Sequence, residues 1–339
     1  MSQQRKEFYF NRGTGDGNAG QGCKSGNSGG SLRLTLACAL LAVLAAAPLH
    51  AQFYQDLYDF DCTSGCGPYG RLTQGINGNL YGTTASGGSN NLGTIFMVNP
   101  AGTPYTVLWN FDATTGTPSG GLTLASLDGN FYGTTSGTLF RFNPLTNALT
   151  VLHTFISTEG APQGPPVEAK DKNLYGLDSL GASPGTAYRL TVSTGTFELL
   201  PKPVPGFPSG PLLPASDGYL YGTTANGGSS EAGTVFRMTI TGAIKKIYSF
   251  TDGTDGDGPN APLVQGIKDG NLYGTAVHGG YYDDGRYGTI FEVTLPSYGF
   301  STAYEFDGTA GAGSNPEAGL LAASDGNLYG TTDSGGGTA

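Results

Sequence analysis

The amino-acid sequence reads as an all-β chain, a β-propeller of about six four-stranded antiparallel blades, on three observations. Of its 339 residues 58 are Gly and 20 are Pro, with only 12% charged, which favours short strands and frequent turns over long helices. Nineteen Tyr and 17 Phe give enough apolar area to bury a core, unlike a disordered Gly- and Pro-rich chain. One hexapeptide also recurs at blade-like spacing. Asn-Leu-Tyr-Gly-Thr-Thr at 79–84 returns, with small changes, at 130–135, 173–178, 219–224, 271–276 and 327–332. Its tyrosines, Tyr81, Tyr132, Tyr175, Tyr221, Tyr273 and Tyr329, lie 43 to 56 residues apart, so each unit is one supersecondary element with variable loops. The rival is a parallel β-helix or solenoid, whose rungs are about half this length and need no two tight reversals per unit.

Residues 1–51 stand apart as an N-terminal extension with a signal peptide. Leu36 to Ala47 is an uninterrupted apolar run, preceded by Arg33 and followed by Leu49-His50-Ala51 before Gln52. Twelve apolar residues are too few to span a bilayer, which needs about 20, so no stable membrane span is expected after cleavage. Cys23 and Cys38 leave with the leader. Cys62 and Cys66 remain, and an oxidising compartment favours a disulfide across the Ser64-Gly65 turn. Two thiols with no nearby His or further Cys do not complete a zinc site.

Residues 52–339 form one propeller domain. Phe53 to Phe60 matches the fourth strands of later units, such as Lys245 to Phe250, and Tyr69 to Gln74 opens the next blade. The unit near Gly210 shows the pattern most clearly. Pro211 to Ala215 is a first strand, Ser-Asp-Gly at 216–218 a hairpin turn, and Tyr219 to Thr224 the second strand. A Gly/Ser loop from Asn226 to Ala232 leads to Gly233 to Thr239, and Thr241-Gly242 turns the chain into Ala243 to Phe250. The chain closes with first and second strands near Gly319 to Ala323 and Asn327 to Thr332. A composite sixth blade then pairs these ends and removes the open sheet edges. Its third strand, the Gly-Thr-[Ile/Val]-Phe element, is missing after Ala339, which points to a truncated sequence.

Packing explains the repeated residues. Blades cover one another on both faces, so Leu80 and Tyr81 point into opposite inter-blade spaces. Gly82 admits an aromatic ring from the neighbouring strand, with Phe96, Phe140, Phe236 and Phe291 as the candidates across the units. Each buried Tyr hydroxyl is expected to find a backbone or Thr partner.

Asp-Gly-Asn-Leu-Tyr-Gly-Thr-Thr followed by a Gly-Gly loop and Gly-Thr-[Ile/Val]-Phe, as at 325–332 and 227–236, resembles the GloVer tandem repeat of exported bacterial proteins with a choice of cell-surface anchors. The resemblance covers nearly all of 53–339. It implies an extracytoplasmic propeller, secreted or held at the cell surface, and brings no catalytic residues with it. The third unit departs from the pattern at Leu177-Asp178 and at Thr186-Ala187-Tyr188.

The meander puts the Asp-Gly-Asn and Thr-Gly turns on one face and the long loops on the other. Those loops are Ala85 to Leu92, Ala225 to Ala232 and Val277 to Tyr287 between strands, with Asp112 to Gly120 and Asp252 to Asn260 between blades. A rigid scaffold displaying irregular loops is a usual binding surface. Candidate ligand-face residues are His278, Tyr281, Tyr282, Asp283, Asp284 and Arg286, where aromatic, acidic and basic groups concentrate. Asp252 to Gly258 looks like a calcium loop but lacks the third regular acid and the bidentate Glu. After export His153 and His278 remain, neither in a metal or triad pattern, so no catalytic residue, metal or cofactor is assigned. A formal net charge of −10 argues against nucleic acid or anionic membrane as partner. The reading adopted is a non-enzymatic binding or adhesion propeller for a glycan or protein. A polysaccharide hydrolase or lyase with an axial acidic site and a structural cell-surface component are the alternatives.

Overall fold

Why one hexapeptide recurs is answered by where its side chains go in the computed structural model, which describes residues 6–10, 57–68, 70–102, 104–180, 183–280, 287–309 and 312–335. Blade 1 is built of Thr73–Gln74, Leu80–Thr84, Thr94–Val98 and Tyr105–Asn110, paired in that order and antiparallel. Blade 2 follows with Thr123–Leu124, Phe131–Thr134, Thr138–Asn143 and Ala148–Thr154. Blade 4 is Leu213–Pro214, Leu220–Thr224, Thr234–Met238 and Ile244–Ser249, and blade 5 is Val264–Gln265, Leu272–Ala276, Thr289–Val293 and Phe300–Glu305. Blade 3 has an extra inner strand, since Ala161–Pro162 and Val167–Glu168 both pair with Leu174–Leu180, ahead of Ser183–Thr191 and Thr196–Leu199. The blades belong to one compact unit, residues 1–11 with 57–339. A second unit, Arg12–Asp56, lies outside the described residues, as do the apolar run Leu36 to Ala47 and the expected cleavage site after Ala51, whereas Lys6–Phe10, read from the sequence as part of the N-terminal extension, is a described strand.

Blade 6 contains Leu321–Ala322 and Leu328–Thr332, and its third-strand place is taken by Lys6–Phe10. The register matches the other blades: Phe8 stands opposite Gly330 as Phe96 stands opposite Gly82 and Phe236 opposite Gly222. Leu57 to Phe60, the described part of the expected outer strand, forms no strand. Even so, Tyr58 stacks on Tyr105 of blade 1 at 3.7 Å, as Tyr248 of blade 4 stacks on Phe300 of blade 5 at 3.6 Å.

The apolar core is divided into wedges, each shared by two blades. Tyr81, Ile95 and Phe111 of blade 1 meet Leu122, Phe131 and Phe140 of blade 2. Leu220 packs with blade 3 while Tyr221, its neighbour in sequence, packs with blade 5, which is the opposite pointing expected of such a pair. Each repeat glycine is fixed by its aromatic partner. A Cβ on Gly82, Gly133, Gly222 or Gly274 would lie 2.4 to 2.6 Å from the ring tip of Phe96, Phe140, Phe236 or Phe291.

Hydrogen bonds stitch the wedges along the inner strands. The first Thr of the hexapeptide donates to a backbone carbonyl that opens the next blade: Thr83 to Gly120 O at 2.6 Å, Thr134 to Gly164 O at 2.9 Å, Thr223 to Ala261 O at 3.1 Å and Thr275 to Ala318 O at 3.3 Å. Blade 3 carries Leu177 there and joins blade 4 through Lys170 Nζ to Ser216 O at 2.6 Å. The circle closes where Arg71 of blade 1 donates to Leu320 O of blade 6 at 3.0 Å.

The tyrosine hydroxyls choose a different partner from the one expected. Five of the six donate to the turn carboxylate four residues upstream: Tyr132 to Asp128 at 2.8 Å, Tyr175 to Asp171 at 2.8 Å, Tyr221 to Asp217 at 2.7 Å, Tyr273 to Asp269 at 2.5 Å and Tyr329 to Asp325 at 2.6 Å. The same carboxylate also accepts the backbone N–H two residues on, as Asp217 does from Tyr219. One Asp thus fixes the hairpin turn and satisfies the phenol at the edge of the core. Burial, followed by the adjacent carboxylate, pushes the Tyr132, Tyr175, Tyr221 and Tyr273 phenols well above their ordinary range.

Candidate binding face

On the loop face, the connections leaving the outer strands of blades 1, 2, 4 and 5, and the one after Phe60, are each built around one carboxylate. Asp112 accepts Thr114 N at 3.0 Å, Thr114 Oγ1 at 2.7 Å, Thr115 N at 2.9 Å and Thr115 Oγ1 at 3.0 Å. Asp61 does the same for Thr63 and Ser64, and Asp307 for Thr309. Hydroxyl and amide donors favour the charged form, so Asp61 and Asp112 are lowered to about 2, the Thr63 and Thr114 hydroxyls contributing most. These are Asx turns, and their signature is Phe-Asp-x-Thr at 60–63, 111–114 and 306–309. The signature is legible in the sequence once the fourth strand is known to end at the Phe.

Blades 2 and 4 reach the same result with other residues. Glu159 accepts Ile156 N at 3.1 Å and pairs with His153 Nε2 at 2.8 Å. Burial raises that carboxyl, but the His153 contact and the Ile156 amide outweigh it and leave it lowered. His153 also stacks on Phe197 at 3.6 Å, so it serves the junction of blades 2 and 3. Asp255 accepts Tyr248 Oη at 2.9 Å, Thr251 N at 2.8 Å and Thr251 Oγ1 at 2.6 Å. The stretch Asp252 to Gly258 is therefore a turn organised by its own acid. Among the described residues no three His, Cys, Asp or Glu side chains gather as a metal-holding group.

The loops between second and third strands share a neck. Gly93 N donates to Gly87 O, Gly233 N to Gly227 O and Gly288 N to Gly279 O, each at 3.1 Å. The residue at the start of the neck has φ of +77° to +84°, a left-handed conformation that Gly adopts without strain. Blades 1 and 4 place five residues between the neck glycines and blade 5 places eight. Blade 2 reduces the loop to Ser136-Gly137. The face is therefore uneven, with a shorter loop at blade 2 than at blades 1, 4 and 5. Between blades 1 and 2, toward the inner strands, Gly67, Gly70, Thr83, Ala85, Pro118 and Gly120 line a small depression of about 150 Å³.

Of the candidate ligand-face residues, His278 is exposed at the foot of the blade 5 loop, where its backbone exchanges hydrogen bonds with Asp257 at 2.9 and 3.1 Å. Tyr281, Tyr282, Asp283, Asp284 and Arg286 lie outside the described residues. Cys62 and Cys66, expected as a disulfide, are free thiols here. They hydrogen-bond to each other, which raises Cys62 and lowers Cys66, and Ser86 Oγ at 3.1 Å from Cys66 Sγ adds to the second effect.

The third blade's departures form one buried unit. Where blades 1, 2 and 4 pair two threonines, Thr84–Thr94, Thr135–Thr138 and Thr224–Thr234, blade 3 pairs Asp178 with Thr186 at 2.7 Å. Asp178 is completely buried, and burial lifts its carboxyl to about 6 despite the Thr186 hydrogen bonds. Tyr188 stands in the aromatic position opposite Gly176, and its hydroxyl is buried with no hydrogen-bond partner among the described residues.

The Gloeobacter/Verrucomicrobia repeat model matches twice, over residues 43–183 and 181–339. No curated protein matches the chain. Among solved structures, the extracellular domain of a hybrid two component system from B. thetaiotaomicron aligns with a TM-score of 0.50 at 14% identity, over 83% of this chain and 38% of that one. A gluconolactonase from Xanthomonas campestris aligns at 0.48 and 11% identity, covering 80% and 88% of the two chains. An oligogalacturonate lyase from Vibrio parahaemolyticus aligns at 0.49 and 13% identity, covering 77% and 69%. At 14% identity the likeness to the extracellular domain is one of fold alone. No helix among the described residues is long and apolar enough to cross a membrane.

Proposed function

The chain belongs to the Gloeobacter/Verrucomicrobia repeat family, and from that premise we propose that it is an extracytoplasmic, non-enzymatic binding propeller that presents its loop face to a glycan or protein. The observation that carries this reading is the shared neck. Three loops leave the scaffold through the same Gly-to-Gly hydrogen bond, and one of them, on blade 5, is three residues longer and holds Tyr, Asp and Arg where the loops of blades 1 and 4 are mostly Gly, Ser and Asn, with His278 just before its neck. Extra residues on a fixed neck change the surface without changing the blade, which is how a rigid fold acquires a recognition element. Carboxylate-anchored turns at Asp255 and Asp307 flank that loop.

Retention on cell-wall or polysaccharide material tests the proposal. The intact protein is expected to be retained, and a variant with residues 278–287 replaced by a Gly/Ser loop is expected to pass through with its thermal midpoint preserved. Equal retention of both proteins, or release of product in a broad glycan turnover screen, would overturn it.

A further inference from the structure

We infer that the opposite, turn-bearing face holds a second binding site, a recess between blades 1 and 2 that takes the acylamino group of an uncharged N-acylated sugar. The recess encloses about 300 Å³, at the small end of ligand sites, and Tyr81 and Phe131 form its floor. It exists because a plug is missing. At the next three junctions the residue opening the turn between third and fourth strands packs into the inter-blade gap: Val192, then Ile240, then Leu295 together with Tyr298. In blade 2 that position is Pro144, and Leu145 beside it stands 87% exposed. Ile76 on the other wall is 79% exposed, so two large apolar side chains border an unfilled hollow.

The floor is also wired differently. In blades 2 to 6 the tyrosine hydroxyl gives its proton to an Asp, but blade 1 carries Asn77 at that position. Asn77 Oδ1 accepts Asn79 N at 3.2 Å, so its Nδ2 faces the phenol and donates to Tyr81 Oη at 3.0 Å. The phenol proton has no acceptor among the described residues, and Asn77 keeps a second amide hydrogen. Two donors on an apolar floor call for a carbonyl oxygen on a small apolar group. An anion is disfavoured by Asp128 in the wall and by the net charge of −10. A cation gains little, since Asp128 is exposed to water and already accepts from Asn130 N, Asn130 Nδ2 and Tyr132 Oη. An extended peptide finds no ladder partners, because the bordering turns pair internally, Gly78 N with Gly75 O and Gly129 N with Ala125 O. The acyl methyl fits against Ile76 and Leu145, the carbonyl accepts from Tyr81, and Asn130 and Asn143 at the mouth meet ring hydroxyls.

The test is titration of the full chain with N-acetylglucosamine, glucose and N-acetyl-leucine amide, followed by ligand-observed NMR. N-Acetylglucosamine is expected to bind at least about tenfold more tightly than glucose. Asn77→Asp, which supplies the acceptor present in the other blades, is expected to weaken that binding about tenfold or more while leaving the thermal midpoint unchanged or raised. Leu145→Ser weakens it by about threefold. The 278–287 loop replacement leaves it intact, which separates this site from the loop face. Binding undiminished in Asn77→Asp, or no saturable binding of N-acetylglucosamine, overturns the proposal. Preferential binding of the leucine amide would replace the sugar with an apolar peptide end.

Discussion

Replacing Asp178 by Thr restores the Thr–Thr pair of blades 1, 2 and 4 and removes a carboxylate from the interior. The side chain is fully buried, and its carboxyl is raised from 3.8 to about 6. At about 1.4 kcal/mol per pKa unit, ionised Asp178 costs the folded state at most about 3 kcal/mol at neutral pH. The sign follows from proton counts. Between about pH 4 and 6 the folded chain holds a proton that the unfolded chain has lost. The stabilisation associated with that proton is complete below about pH 4 and is lost as pH rises through 6. Thr at 178 keeps the essential local bond, because Thr186 N, now 3.0 Å from Asp178 Oδ1, meets an Oγ1 as Thr94 N meets Thr84 Oγ1 at 2.9 Å. Asp178→Thr is therefore expected to be about 1–3 kcal/mol more stable than the parent at pH 7.5 and close to it at pH 4. Urea unfolding at the two pH values, compared through midpoint and slope, reads this directly. An advantage equal at both pH values, or a loss at pH 7.5, would refute the argument that desolvation governs this site.

Tyr221→Ala removes a ring with no solvent exposure from the wedge between blades 4 and 5 and strands the Asp217 acceptor, so a loss of about 3–5 kcal/mol is expected in chemical denaturation. Asp112→Ala should accelerate hydrogen exchange at the Thr114 and Thr115 amides with little change in the global unfolding midpoint. The lowered carboxyls of Asp61 and Asp112 place acid loosening of these turns late, since the contribution is present above about pH 4 and is lost as pH falls through about 2. Cys62 and Cys66 are expected to join on mild oxidation, with Cys66 the attacking thiolate. Thiol titration and peptide mass of the oxidised protein check this, and a persistent pair of reactive thiols would argue against it.

Much of the fold could be read in advance because radial packing imposes the same demand at every turn of the ring. Tyr221 and Leu220 recur because each wedge needs one side chain from either face of the second strand. Gly222 recurs because the Phe236 ring occupies the space of its Cβ. The strand ends follow the sequence pattern too, since Thr234–Met238 falls inside Gly233 to Thr239. The phenol partner is hidden in the sequence because Asp217 fits a turn former there, and one carboxylate serving both turn and core follows only from the hairpin register. Leu57 to Phe60 has the outer-strand pattern, yet it contributes aromatic stacking through Tyr58 without strand pairing. The recess between blades 1 and 2 depends on Pro144 failing to reach a gap that Val192 and Ile240 fill, a matter of depth that periodicity does not encode.

No blade owns its interior. Since every apolar wedge is assembled half from one blade and half from the next, an excised four-strand unit would carry two bare halves and no complete one. The smallest fragment able to fold alone should then span two neighbours. Gain of a module by gene duplication, by the same reasoning, brings a matched pair of half-interfaces and leaves the existing seams as they were.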